Sequence, residues 1–99
     1  MIIYNVTINI DDDVREEWLK WMKESHIPEV MNTGLFIEYR ICKVLVQEES
    51  GTTFSVQYTC EGMENLDKYQ KEFAPCLQKA HSDKFEGKFV AFRTLLEIL

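Results

Sequence analysis

Ninety-nine residues with a 45% hydrophobic and 12% aromatic content suffice for one folded domain and leave no disordered tail, linker or repeat. The net charge is −6, and lysines and arginines are scattered, which argues against a nucleic-acid partner because phosphate binding needs clustered cations. No apolar run approaches the ~20 residues of a membrane helix, so no membrane partner is expected.

The chain opens with Ile2, Tyr4, Val6, Ile8 and Ile10 alternating with Asn5, Thr7 and Asn9, the period of a half-buried strand. A secretion signal would instead show a basic stretch and an apolar block. Asp11 to Asp13 mark a helix start, with Asp13 and Glu16 approximating a capping box. From Val14 to about His26 the period becomes helical. Val14, Trp18, Leu19, Trp21, Met22 and Ser25 share one arc, and Glu16, Glu17, Lys20, Lys23 and Glu24 oppose it. Pro28 is expected to end this helix near His26 and to open a short turn to Met31.

Leu35 to Gln47 reads as a long second strand, Glu48 to Thr52 as a turn, and Thr53 to Cys60 as a third strand completing a hairpin. Glu61 to about Ser82 is helical, with Leu66, Tyr69, Phe73, Leu77 and Ala80 on one face and Pro75 splitting it after Phe73. Phe89 to Ile98 is the fourth strand.

The order β-α-β-β-α-β is the ferredoxin-like plait, an α+β fold with a four-stranded antiparallel sheet and two helices on one face, as a single domain over residues 1–99. With the first and third strands central, Asn5, Thr7, Asn9, Ser55, Gln57 and Thr59 face away from the helices. The two edge strands read as apolar on both faces: Phe36, Cys42, Val44 and Val46 against Leu35, Ile37, Tyr39, Ile41 and Leu45 in the second, and Phe89 to Ile98 in the fourth. Each large apolar side chain left in water forgoes roughly 1.5–3 kcal/mol, so a homodimer formed through the sheet faces is expected.

This combination resembles the dimeric α/β-barrel superfamily, in which two plaits pack sheet to sheet. Trp18-x-x-Trp21-Met22, the run His26-Ile27-Pro28-Glu29-Val30-Met31-x-x-Gly34, and Phe92-Arg93-Thr94 look like a small bacterial family of unknown function within it. The resemblance implies the fold and leaves the activity open, since the superfamily holds cofactor-free monooxygenases, haem-degrading monooxygenases, lactone isomerases, stress-response proteins and ligand-sensing modules. Haem-degrading relatives use an asparagine of the first strand with a later tryptophan and histidine. Asn5, Asn9 and His81 are present here, but no tryptophan follows Trp21.

His26, at the rim of the first helix's apolar arc, is the candidate acid/base, or else caps the last carbonyls of that helix. Trp18, Met22, Tyr4 and Tyr58 are the candidate walls of a ligand pocket between helices and sheet, or else plain core. Such a pocket would measure about 300 Å3 or more. Arg40, with Glu38 and Arg93, could hold a substrate carboxylate or pair across an interface. The polar stripe on the central strands reads as a hydrated strip or a polar ligand site. Cys42, Cys60 and Cys76 lack the short spacings of a zinc site, so no metal and no cofactor is expected, and an odd cysteine count fits a reducing, cytoplasmic setting. The functional expectation is a homodimer binding a small apolar or aromatic molecule. The alternatives are a non-enzymatic interaction or sensing module and a cofactor-free monooxygenase-like enzyme.

Overall fold

The computed structural model describes residues 1–99. Four strands, β1 (Ile2–Ile10), β2 (Glu38–Lys43), β3 (Thr52–Cys60) and β4 (Phe89–Glu97), form one antiparallel sheet in the order β2-β3-β1-β4. The central pair is in register, Tyr4 opposite Tyr58, Val6 opposite Val56 and Ile8 opposite Phe54. These even-numbered side chains share one face by the pleat, and most are buried beneath the helices. The ferredoxin-like α+β plait expected from the sequence is the fold observed.

A single turn over Asp12–Val14 leads into α1 (Arg15–Trp21). The anticipated capping box does not form. Asp13 instead accepts a 2.9 Å hydrogen bond from Lys88 Nζ, and Asp12 accepts one of 2.7 Å from Thr52 Oγ1. Nor does Pro28 end the helix. The chain widens into a π-helical turn over Met22–His26, in which Ile27 N–H donates to the carbonyl of Met22 five residues back, and continues as α2 (Ile27–Met31). Proline removes one backbone donor and crowds the preceding turn, and a π turn just before it accommodates both defects without a break.

Pro75 does divide the second helical stretch, into α3 (Met63–Glu72) and α4 (Ala74–Lys84), with Phe73 at φ −121° and ψ −39° between them. The interruption resets the helical phase. Ala80, expected inward, is exposed, while Ala74 and His81 turn in beside Leu77, which lies inward as expected.

β2 spans six residues, not the thirteen from Leu35 to Gln47 that the alternation suggested. Backbone pairing with β3 extends only to Ile37 N–H on Thr59 O and Val44 N–H on Thr53 O. Beyond Val44 the chain leaves the sheet toward the turn-forming Glu48–Gly51, and Leu45 and Val46 stand exposed. By register, Glu38, Arg40 and Cys42 lie on the face opposite the helices, so that face of β2 is polar, and Phe36 is core outside any strand. Only β4 is apolar on both faces: Val90, Phe92 and Leu96 are 70%, 62% and 42% exposed on the open side. Between the edges the polar stripe is internally bonded. Gln57 Nε2 donates to Ser55 Oγ, Ser55 Oγ to Asn5 Oδ1, and Asn5 Nδ2 to Thr7 Oγ1. No helix is long and apolar enough to cross a membrane.

Candidate functional site

The aromatic side chains concentrate where α1, the π turn and α4 meet the sheet. Trp18, fully buried, packs on Phe54 at 5.0 Å between ring centroids, and its Nε1–H donates to His81 Nε2 at 2.8 Å. Trp21 stacks on His26 at 4.9 Å, an arrangement that the π turn makes by carrying His26 back over the ring. The two imidazoles lie 5.8 Å apart, and Phe89 meets His81 edge-on at 4.4 Å.

A cavity of about 50 Å3 opens beside this cluster. β1, β3 and β4 supply Tyr4, Tyr58 and Arg93; the π turn supplies Met22 and His26; α3 and α4 supply Tyr69, Gln78 and His81. The volume is room for a few water molecules, against ~10–15 Å3 for one, and falls short of the 300 Å3 expected. A benzene-sized ligand, which fills ~150 Å3, requires the walls to move. A larger depression of about 470 Å3 lies between Glu29–Thr33 and Glu72–Leu77, but it is wide open, and its Glu29, Asn32, Glu72 and Cys76 are all exposed. Of these two, the smaller is the more closed and is walled by phenol, imidazole and guanidinium groups.

Burial pushes the His26 pKa down to about 4. His81 falls equally far, to about 4, chiefly through burial and then through the nearby His26 and Arg93. Burial also raises the Tyr58 and Tyr69 phenols above their ordinary value. Both imidazoles are therefore neutral at pH 7. Because tryptophan can only donate, His81 Nε2 must be the bare nitrogen and Nδ1 must hold the proton. His26 makes no such bond and keeps its lone pair available. Arg93 is the one charged side chain on the cavity wall. Its Nε donates to Tyr4 Oη at 3.0 Å, Gln78 Nε2 approaches the same oxygen at 3.5 Å, and no carboxylate lies within 4 Å of the guanidinium.

Of the residues singled out from the sequence, Tyr4, Met22, His26 and Tyr58 line this cavity together. Trp18 does not. It stands behind the wall and holds His81 in place. Arg40 pairs with Gln57 on the other face of the sheet, exposed, and cannot reach the cavity. His81, Tyr69 and Gln78 complete the wall unanticipated, and Arg93, named with Arg40 as a possible holder of a carboxylate, lies on it as well. Arg93 was legible from strand parity alone, since it faces Val6 across the β1–β4 pair.

All of residues 1–99 match the family described as "Domain of unknown function (DUF4286)". The chain belongs to the DUF4286 family. Among solved structures, the DUF4286 protein is similar to HapK from Hahella chejuensis, with a TM-score of 0.75, 9% identity, and coverage of 100% of this chain and 93% of that one. A dimeric ferredoxin-like protein from an uncultured marine organism gives 0.70 at 13% identity, over 99% and 94% of the two chains. An antibiotic biosynthesis monooxygenase gives 0.64 at 13% identity, over 100% and 99%. At these identities the likeness establishes the fold alone. A 55-residue stretch is 36% identical to human Regulator of G-protein signaling 22, covering 52% of this chain and 4% of that protein. The DUF4286 chain thus spans a small fraction of that relative, and the match transfers no signalling role.

Proposed function

We propose that this DUF4286 protein is a cytoplasmic homodimer that binds a small molecule with an apolar or aromatic body in the cavity between helices and sheet. The observation that carries this reading is the cavity wall itself: phenols, two neutral imidazoles and an arginine without a carboxylate partner converge on one opening. Buried polar groups placed in an apolar wall are how small-molecule sites fix orientation. His26, with its lone pair free, is the group available to accept a proton from a bound ligand, and Met22, Tyr4 and Tyr58 supply the walls. The dimer is supported by Val90, Phe92 and Leu96 on the open side of β4, by the internally bonded polar stripe beside them, and by the dimeric ferredoxin-like neighbour.

A thermal-shift screen against small aromatic and aliphatic compounds tests the binding claim. A ligand that raises Tm by several degrees in the wild type, and not in a Met22→Trp variant whose larger side chain fills the cavity, supports it. A complete absence of shifts contradicts it. Chemistry at His26 is a separate question. If an activity is detected and His26→Ala leaves it unchanged, His26 is not the base.

The small cavity volume favours a second reading, a non-enzymatic dimeric interaction or sensing module in which the aromatic cluster is packing. A cofactor-free, monooxygenase-like reaction, suggested by the similarity to an antibiotic biosynthesis monooxygenase, depends on the same His26 and stands or falls with it.

A further inference from the structure

We infer that the cavity selects a small monocarboxylate, with Arg93 and Tyr4 as its anion receptor. The inference rests on the cavity being a ligand site and names the class of ligand.

The cavity wall holds one formal charge. No aspartate, glutamate or lysine lines it, so Arg93 faces the cavity without a counter-ion. A guanidinium presents five N–H donors in a plane. Arg93 commits only Nε, to Tyr4 Oη at 3.0 Å, and that single bond fixes the plane while leaving the two terminal nitrogens free. Tyr4, only 3% exposed, accepts from Arg93 and Gln78 and has no acceptor for its own hydroxyl proton. Two kinds of donor are thus uncommitted at the same end of one cavity. A planar carboxylate, which accepts in pairs, satisfies both.

Arg93 is the one cation on the wall and stands at the cavity's solvent-exposed end, so it matches one carboxylate, and a second negative charge carried inward would find no cation to meet. The rest of the wall limits what is attached to it. Val6, Ile8 and Ala91 are apolar and run inward along β1 and β4 from the Arg93 position, with Val6 opposite Arg93 and Ile8 opposite Ala91. The carboxylate head sits at Arg93 and Tyr4, and a short apolar tail points toward Met22 and His26. With about 50 Å3 available, a tail of two to four carbons enters without rearrangement, and a ring enters only as the walls open.

The test is an NMR titration following the Arg93 Nε–H and the His26 ring resonances, with propionate and its neutral isostere propionamide as probes, repeated with benzoate and benzamide. Propionate shifting these resonances at a concentration at least tenfold below propionamide, with the difference lost in Arg93→Met and reduced in Arg93→Lys and Tyr4→Phe, is the expected result. Sedimentation and far-UV circular dichroism confirm that the variants stay folded. Equal binding of acid and amide, or propionate binding undiminished in Arg93→Met, overturns the monocarboxylate assignment and leaves the ligand site intact. Binding of neither pair, together with no hit in the thermal-shift screen, overturns both.

Discussion

The indole N–H of Trp18 points 2.8 Å from His81 Nε2, and this one bond fixes the tautomer of a histidine that is itself 7% exposed. Trp18 comes from α1 and His81 from α4, so the bond also ties the two helical segments together over the sheet. His81→Phe keeps the ring and removes the acceptor, leaving a buried donor unpaired. Such a loss costs about 1–3 kcal/mol. The expected outcome is an unfolding free energy lowered by that amount, seen as a lower urea midpoint with an unchanged slope, and a wild-type stability would mean that the bond contributes nothing.

Acid should weaken the fold in a defined window. His26 and His81 titrate near 4 in the folded protein, mainly because burial disfavours the imidazolium, against 6.5 in the unfolded chain. Between those values the unfolded state binds more protons, so stability is intact above about 6.5 and is lost as pH falls toward about 4. A fall from 6.5 to about 4 is worth on the order of 3 kcal/mol at most for either ring taken alone. Denaturant midpoints measured from pH 7.5 down to 4 should drop steeply in the wild type and much less in a His26→Phe/His81→Phe variant. Parallel curves for the two proteins would show that the histidines are not the cause.

The turn into β3 depends on a glycine. Gly51 has φ +73°, and a Cβ there would run into Asn9 Oδ1 and the carbonyl of Ile10. Asn9 cannot easily withdraw, since its Nδ2 donates to Ser50 O and Thr53 Oγ1. Gly51→Ala combines backbone strain with this collision and is expected to cost about 1–3 kcal/mol. Equilibrium unfolding with wild-type stability would show that the turn relaxes freely.

The plait was readable because alternation in β1 and β3 and helical arcs elsewhere are strong, mutually consistent signals. Tyr4, Met22, His26 and Tyr58 were placed on one side of the sheet by those periods, and there they lie. The errors came where one local event overrides a period. The π turn before Pro28 extends a helix that proline alone would stop. The break at Phe73 shifts the phase of α4, so that His81 turns inward and Ala80 outward. Counting from Ala74 in place of Glu61 would have aligned Ala74, Leu77 and His81 on one face. β2 is shorter than its composition suggests because Leu45 and Val46 favour strands, yet beyond Val44 the chain turns toward Glu48–Gly51 before they can pair with β3. Arg40 stands on the polar, solvent-facing side of β2 beside Glu38, where the sequence pattern predicts an apolar face.

Covering of the open sheet face is tested at its most exposed aromatic. Phe92, 62% exposed, stands between Val90 and Leu96 on β4. Phe92→Glu puts a charge into any interface there and should convert a dimer to a folded monomer in sedimentation equilibrium, weakening association by at least tenfold. A wild-type protein that sediments at 11.7 kDa at micromolar concentration would contradict the dimer outright.

The cavity between helices and sheet is, above all, the proposed place where molecules bind. Mapping amide and side-chain NMR shifts during titration with the best thermal-shift hit locates binding in one experiment. The largest shifts are expected at Met22, His26, His81 and Arg93, with Val90, Phe92 and Leu96 unmoved. Shifts confined to the open face of β4, with the cavity residues silent, would contradict binding there.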